Sequence, residues 1–129
     1  MKRGVFISII IIFLIGICTL EQKLVDNTLI MLKEKTDNLI IIIPEYENII
    51  NKEIILKTNE LNDFWDKYEN LLCFFINHKD MQEMGIELKK MQSYAEYNVK
   101  EEYFTSLNLV IHYTDTFNHI MGLSLQNLI

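Results

Sequence analysis

The side chains with the most chemical reach in this sequence are His78, His112 and His119, followed by Cys18 and Cys73. Two histidines hold a transition metal only when both imidazoles reach one ion. His112 and His119 are seven residues apart, which on a helix places them on one face about 10 Å from each other, too far to ligate one ion directly. No HExxH pair, cysteine cluster or carboxylate-rich loop accompanies them, so no metal site is expected. The plainer reading gives His78 to a helix end and the other two to the border of a core. Cys18 lies in an apolar run and Cys73 in a later helical pattern, so they cannot meet in a bridge, and Cys73 reads as a small buried hydrophobe.

The carboxylate pairs Glu45/Glu47 and Glu101/Glu102 fall at helix starts, where the helix dipole favours negative charge. The sequence has no GxSxG and no phosphate loop, and its four glycines leave little material for one. These residues predict neither catalysis nor a cofactor. Met81, Met84 and Met91 either line an adaptable protein-binding groove or fill a core. Trp65 with Tyr68, and Tyr94 with Tyr97, are aromatic handles with the same two readings. Trp65, Tyr68, His78, His112 and His119 make up the candidate interaction surface.

The elements that must position these residues begin with Gly4 to Leu20, GVFISIIIIFLIGICTL, seventeen residues without a charge between Lys2-Arg3 and Glu21. The run is longer than the apolar core of a cleaved signal, and its best cleavage site, Gly16-Ile17-Cys18, is poor. An uncleaved anchor over residues 1–22 is the expectation, with secretion after cleavage near Thr19 as the alternative. As a helix the run covers about 25 Å, slightly short of a hydrocarbon core of about 30 Å. Lys2 and Arg3 favour a cytoplasmic N-terminus, leaving residues 23–129 outside the cell membrane on a single span. Beyond the anchor, ten basic residues face eighteen acidic ones, a formal charge of −8. Such a domain is repelled by nucleic acid and by anionic lipid, so no nucleic-acid partner is expected.

From Val25 the positions Val25, Leu29, Leu32, Thr36, Leu39 and Ile43 recur every three or four residues along one helical face. The anchor is therefore expected to continue as a stalk helix over 23–43, ending in a buried Leu39-Ile43. Pro44 marks a turn. Helices follow near 45–57 and 59–78, with Thr58-Asn59 between them. The second carries Leu61, Trp65, Tyr68, Leu72 and Phe75 on its apolar face and Asn62 among the polar residues of the other.

Asp80 with Glu83 predicts a capped start for a helix over 80–97, whose face is Met81, Met84, Leu88, Met91 and Ala95. Asn98 with Glu101 repeats the signal for a helix over 99–121 carrying Tyr103, Leu107, Val110, Thr114, Phe117 and Met121. Gly122 is the expected stop, before an apolar tail over 122–129. From Tyr103 to the end there is one charge, Asp115. The stretch reads as a central bundle helix or as one that docks on another protein, since Asn108, His112, Asp115, Asn118 and His119 disfavour a second span. The fold class is all-α: a transmembrane helix running into a stalk, then a small antiparallel helical bundle or hairpin array.

The basic N-terminus, the single apolar span, Trp65 in an acidic helix, His78-Lys79-Asp80-Met81, Leu88 to Tyr94 and the closing His119-Ile120 with Leu123 to Ile129 resemble a known family. It is domain of unknown function family 4363, short membrane-anchored proteins of endospore-forming, clostridia-like bacteria. The resemblance carries no catalytic or ligand-binding residue. It implies a membrane partner, since members lie beside multi-pass membrane proteins. The function expected is that of a non-enzymatic, single-pass membrane protein whose outer domain binds or supports another cell-envelope protein. The alternative is a small extracytoplasmic ligand or metal sensor, or an envelope enzyme, using His78 and His119.

Overall fold

The computed structural model describes the backbone of residues 1–43 and 51–128, with side chains up to Ile120. The readings made for Pro44, Glu45, Glu47, Met121 and the side chains of the tail lie outside the described residues. Four helices make up the described residues: α1 (Lys2–Ile42), α2 (Lys52–Leu72), α3 (His78–Tyr97) and α4 (Lys100–Leu128). No strand occurs among them.

Helix α1 has 41 residues, about 60 Å of continuous helix. In its first half every side chain, from Met1 to Leu20, is exposed. There the hydroxyls of Ser8 and Thr19 donate to the carbonyls of Gly4 and Ile15, so even the polar groups of the apolar run are satisfied within the helix. The second half buries Val25, Leu29, Leu32, Thr36, Leu39 and Ile43, every position the spacing assigns to one face. Ile40 and Ile41, expected to be covered as well, are exposed.

The helices neighbour one another in a closed ring, α1 with α2, α2 with α3, α3 with α4 and α4 with α1. Paired contacts show that neighbours run antiparallel. Lys33 meets Asp115 at 3.7 Å, and Leu29 accepts a hydrogen bond from Asn118. Between α2 and α3, Asn59 accepts from Gln92 and Asp66 meets Lys89. The result is an up-down-up-down four-helix bundle with one shared apolar core, in which the outer half of α1 is one of the four walls.

Polar residues inside the core are satisfied locally or set the register. Thr28, Thr36, Thr58 and Thr114 each donate to the carbonyl four residues back. Because the Thr58 proton goes to Ile54, the Tyr103 hydroxyl donates to Thr58 Oγ1 at 2.8 Å, reaching across the bundle from α4 to α2. Burial pushes the Tyr103 phenol above its ordinary pKa, so it keeps its proton and remains a donor. Asn62, assigned by the spacing to a solvated face, is buried and donates to the Leu88 carbonyl at 2.9 Å. Thr58-Asn59 therefore does not interrupt α2; both side chains hold partners on other helices.

The helix ends also differ from expectation. Asn77, and not Asp80, caps α3, its side chain accepting from the Lys79 N–H at 2.9 Å, while Asp80 lies in the first turn. Asn98 closes α3 instead of opening α4. It takes the left-handed conformation at φ 56°, which asparagine tolerates better than most residues. Gly122 does not stop α4, which continues to Leu128.

Candidate functional site

A hollow of about 640 Å³ follows the seam between α2 and α3. Trp65 is placed there by the apolar face of α2 and is only 2 % exposed. Gly85 on α3 makes room for it: a Cβ at that position would lie 3.3 Å from the indole Nε1. That nitrogen is buried and has no hydrogen-bond partner among the described residues, as is true of Asn62 Oδ1 one turn away. Buried unpaired polar atoms are costly, so they mark where packing has been favoured over polar satisfaction.

The walls of the groove are charged in a complementary way. Asp66 and Glu69 stand on the α2 side, with Lys89 and Lys90 on the α3 side. Lys89 crosses to Asp66 at 3.1 Å. Lys90 bonds Glu87 at 3.0 Å, and that hydrogen bond and the Glu87 charge hold its ammonium above the ordinary lysine pKa. Between these rims Ile86 is half exposed. An apolar strip with opposite charges on its two edges can bind an amphipathic helix or an extended apolar segment.

The five residues singled out from the sequence are not gathered on one surface. Trp65 is buried against Gly85 and cannot present its ring to a partner in this arrangement. Tyr68 is half-buried, with its ring 4.7 Å from that of Phe64. His78 is exposed at the first position of α3. It lines a smaller hollow of about 230 Å³ with Cys73, and that hollow shares Glu69, Met81 and Gln82 with the main groove. His112 and His119 are exposed on α4 and do not border the core as expected. Cys73 is exposed too, contrary to its reading as a buried hydrophobe. Among the described residues, no three His, Cys, Asp or Glu side chains converge as a metal ion requires.

Sequence reasoning missed Gly85, Ile86 and the lysine pair of the α3 wall. Gly85 was open to detection, because an isolated glycine inside a helical pattern commonly marks a close approach. The methionines turn out to be core: Met81, Met84 and Met91 are all buried.

Fold and groove together define a class: a helix long and apolar enough to cross a membrane, continuous with one wall of a four-helix bundle that carries an open groove between α2 and α3. The chain belongs to the family described as domain of unknown function DUF4363, whose sequence profile matches residues 28–128. The matched stretch takes in most of the bundle half of α1 and all of α2, α3 and α4. No curated protein and no solved structure matches the chain.

Proposed function

We propose that the protein is a non-enzymatic, single-pass membrane protein whose bundle binds or supports another cell-envelope protein through the α2/α3 groove. The observation that carries this reading is the unbroken α1, apolar and uncovered over its first half and a bundle wall over its second. A bundle joined in this way is held at a set height and orientation to the bilayer, which suits a part that must meet a partner in the same membrane. Lys2 and Arg3 favour a cytoplasmic N-terminus, and the acidic bundle then lies on the outer side. A multi-pass membrane protein is the kind of partner this placement fits.

A photo-cross-linking residue at Ile86, in the groove, tests the proposal in native membranes against the same probe at Glu102, exposed at the far end of the bundle. A defined membrane protein captured from Ile86 and not from Glu102 is expected. Equal capture from both positions, or none from either, contradicts the groove as the docking face. The alternative built on His78 and His119 finds no specific contact in its favour. Thermal stabilisation of the full chain by zinc, lost in His78→Ala, would revive it.

A further inference from the structure

We infer that the turn between α2 and α3 is a second membrane contact, with Phe74 and Phe75 seated in the interfacial layer of the bilayer that α1 enters. The inference rests on the reading that α1 spans the membrane. It begins from Leu71 to Ile76, LLCFFI, six residues without a charge. Leu72 and Ile76 turn into the core, whereas Phe74 is 85 % exposed and Phe75 37 % exposed. The spacing assigned Phe75 to the core face. Instead α2 ends at Leu72, and the chain turns before Phe75 can follow that face.

The position of the turn identifies what covers these rings. Helices α1 and α2 are antiparallel, and Lys35 Nζ lies 5.3 Å from the Phe64 ring centroid. Eight residues onward α2 ends at Leu72, and eight residues back along α1 is Asn27, so the turn that carries Phe74 just beyond Leu72 lies near the level of Val25 to Asn27. Val25 lies only five residues past Leu20, the last residue of the apolar run, or about 7.5 Å of helix. The interfacial layer on each side of the hydrocarbon is itself roughly 5–7 Å deep. The apolar run is slightly shorter than the hydrocarbon it must cross, which draws the bundle toward the bilayer. The rings of Phe74 and Phe75 thus stand at the membrane surface, and Leu24, half exposed on α1, is at the same height.

The backbone of the turn suits a water-poor layer. The N–H groups of Cys73, Phe74, Phe75 and Ile76 donate to Glu69, Leu71, Leu72 and Leu72 respectively, so insertion strands none of these four donors. The residues flanking the run, Asn70, Asn77, His78 and Lys79, are exposed polar groups at the level of lipid headgroups. At the opposite end, among the described residues, the α3/α4 turn is charged, with the exposed Tyr97 beside Asn98, Lys100, Glu101 and Glu102, while Ile40 and Ile41 are exposed on α1.

The test uses the full chain in phosphatidylcholine vesicles, with acyl chains brominated close to the headgroup in one preparation and near the chain end in a second, quenching in either counting as contact with lipid. Three exposed positions receive a tryptophan in separate variants: Phe74→Trp, Phe13→Trp within the apolar run, and Tyr97→Trp at the far end. Each is read as the emission added to that of the parent chain, whose Trp65 is buried. Loss of the added emission is expected for Phe13→Trp and Phe74→Trp, with a blue shift in both, and not for Tyr97→Trp. If Phe13→Trp is quenched while Phe74→Trp matches Tyr97→Trp, the turn is not a membrane contact, although the span stands. If Phe13→Trp is not quenched, the span fails and this inference fails with it. Since the vesicles hold no other protein, quenching at Phe74 cannot reflect a protein partner.

Discussion

The two halves of α1 share one backbone and are both rich in Ile and Leu, yet their side chains meet different surroundings. From Gly4 to Leu20 apolar residues occupy every face and all are exposed. From Val25 to Ile43 the buried positions recur at spacings of three and four, while Lys33, Glu34, Asp37 and Asn38 stay in solvent. The contrast shows that burial follows the period of the apolar residues and not their abundance. A helix apolar all round needs an apolar solvent, whereas one with a stripe needs other helices. With both on one helix, the bundle is joined to the apolar half by a continuous helix and not by a linker.

Substitutions on the two halves should therefore separate. Leu32→Ala removes a fully buried side chain and is expected to cost about 2–5 kcal/mol in denaturant unfolding of the full chain in detergent micelles. Ile11→Ala, of similar chemistry on the exposed half, should leave that unfolding curve unchanged. Equal effects would break the contrast. A smaller loss, about 1–3 kcal/mol, is expected for Thr58→Val, which leaves the buried Tyr103 hydroxyl without its acceptor. Tyr103→Phe added to Thr58→Val should recover part of that loss.

The smallest effect is a pH dependence confined to the bundle. Tyr113 donates to Glu83 Oε2 at 2.6 Å, and this hydrogen bond, with burial and nearby carboxylates adding to it, pushes its pKa up to about 12. The unfolded chain loses the phenol proton near pH 10 and the folded chain later. The stability due to this bond is thus fully present below about pH 10 and is lost as pH rises toward 12. Thermal unfolding followed by circular dichroism should fall more steeply across that window in the native chain than in Tyr113→Phe.

Much of this architecture is legible in the order of residues. The faces read from Val25, from Met81 and from Tyr103 match the buried positions, because a helix in a bundle repeats one environment every three or four residues. What could not be read locally depends on partners far along the chain. Thr58 looks like a break until Tyr103, 45 residues away, is found donating to it. Asn62 looks solvated until the Leu88 carbonyl is placed beside it. The starts of α3 and α4 are ambiguous in sequence because asparagine serves both ends of helices: Asn77 opens α3 and Asn98 closes it. The candidate site was less legible than the fold. Trp65 lies on the α2/α3 seam, whereas the three histidines stand at exposed positions on two helices, and Gly85, which shapes the groove, has no chemistry of its own.

The central claim, one rigid helix serving as both anchor and bundle wall, is tested most directly by a distance across the junction. Spin labels at Ile7→Cys and Met31→Cys, both exposed positions twenty-four residues apart, with Cys18 and Cys73 replaced by Ser, would be measured by pulsed dipolar spectroscopy in lipid bilayers. A narrow distribution centred near 36 Å is expected for continuous helix. A broad distribution, or one centred well below that distance, would show a hinge between anchor and bundle and contradict the account.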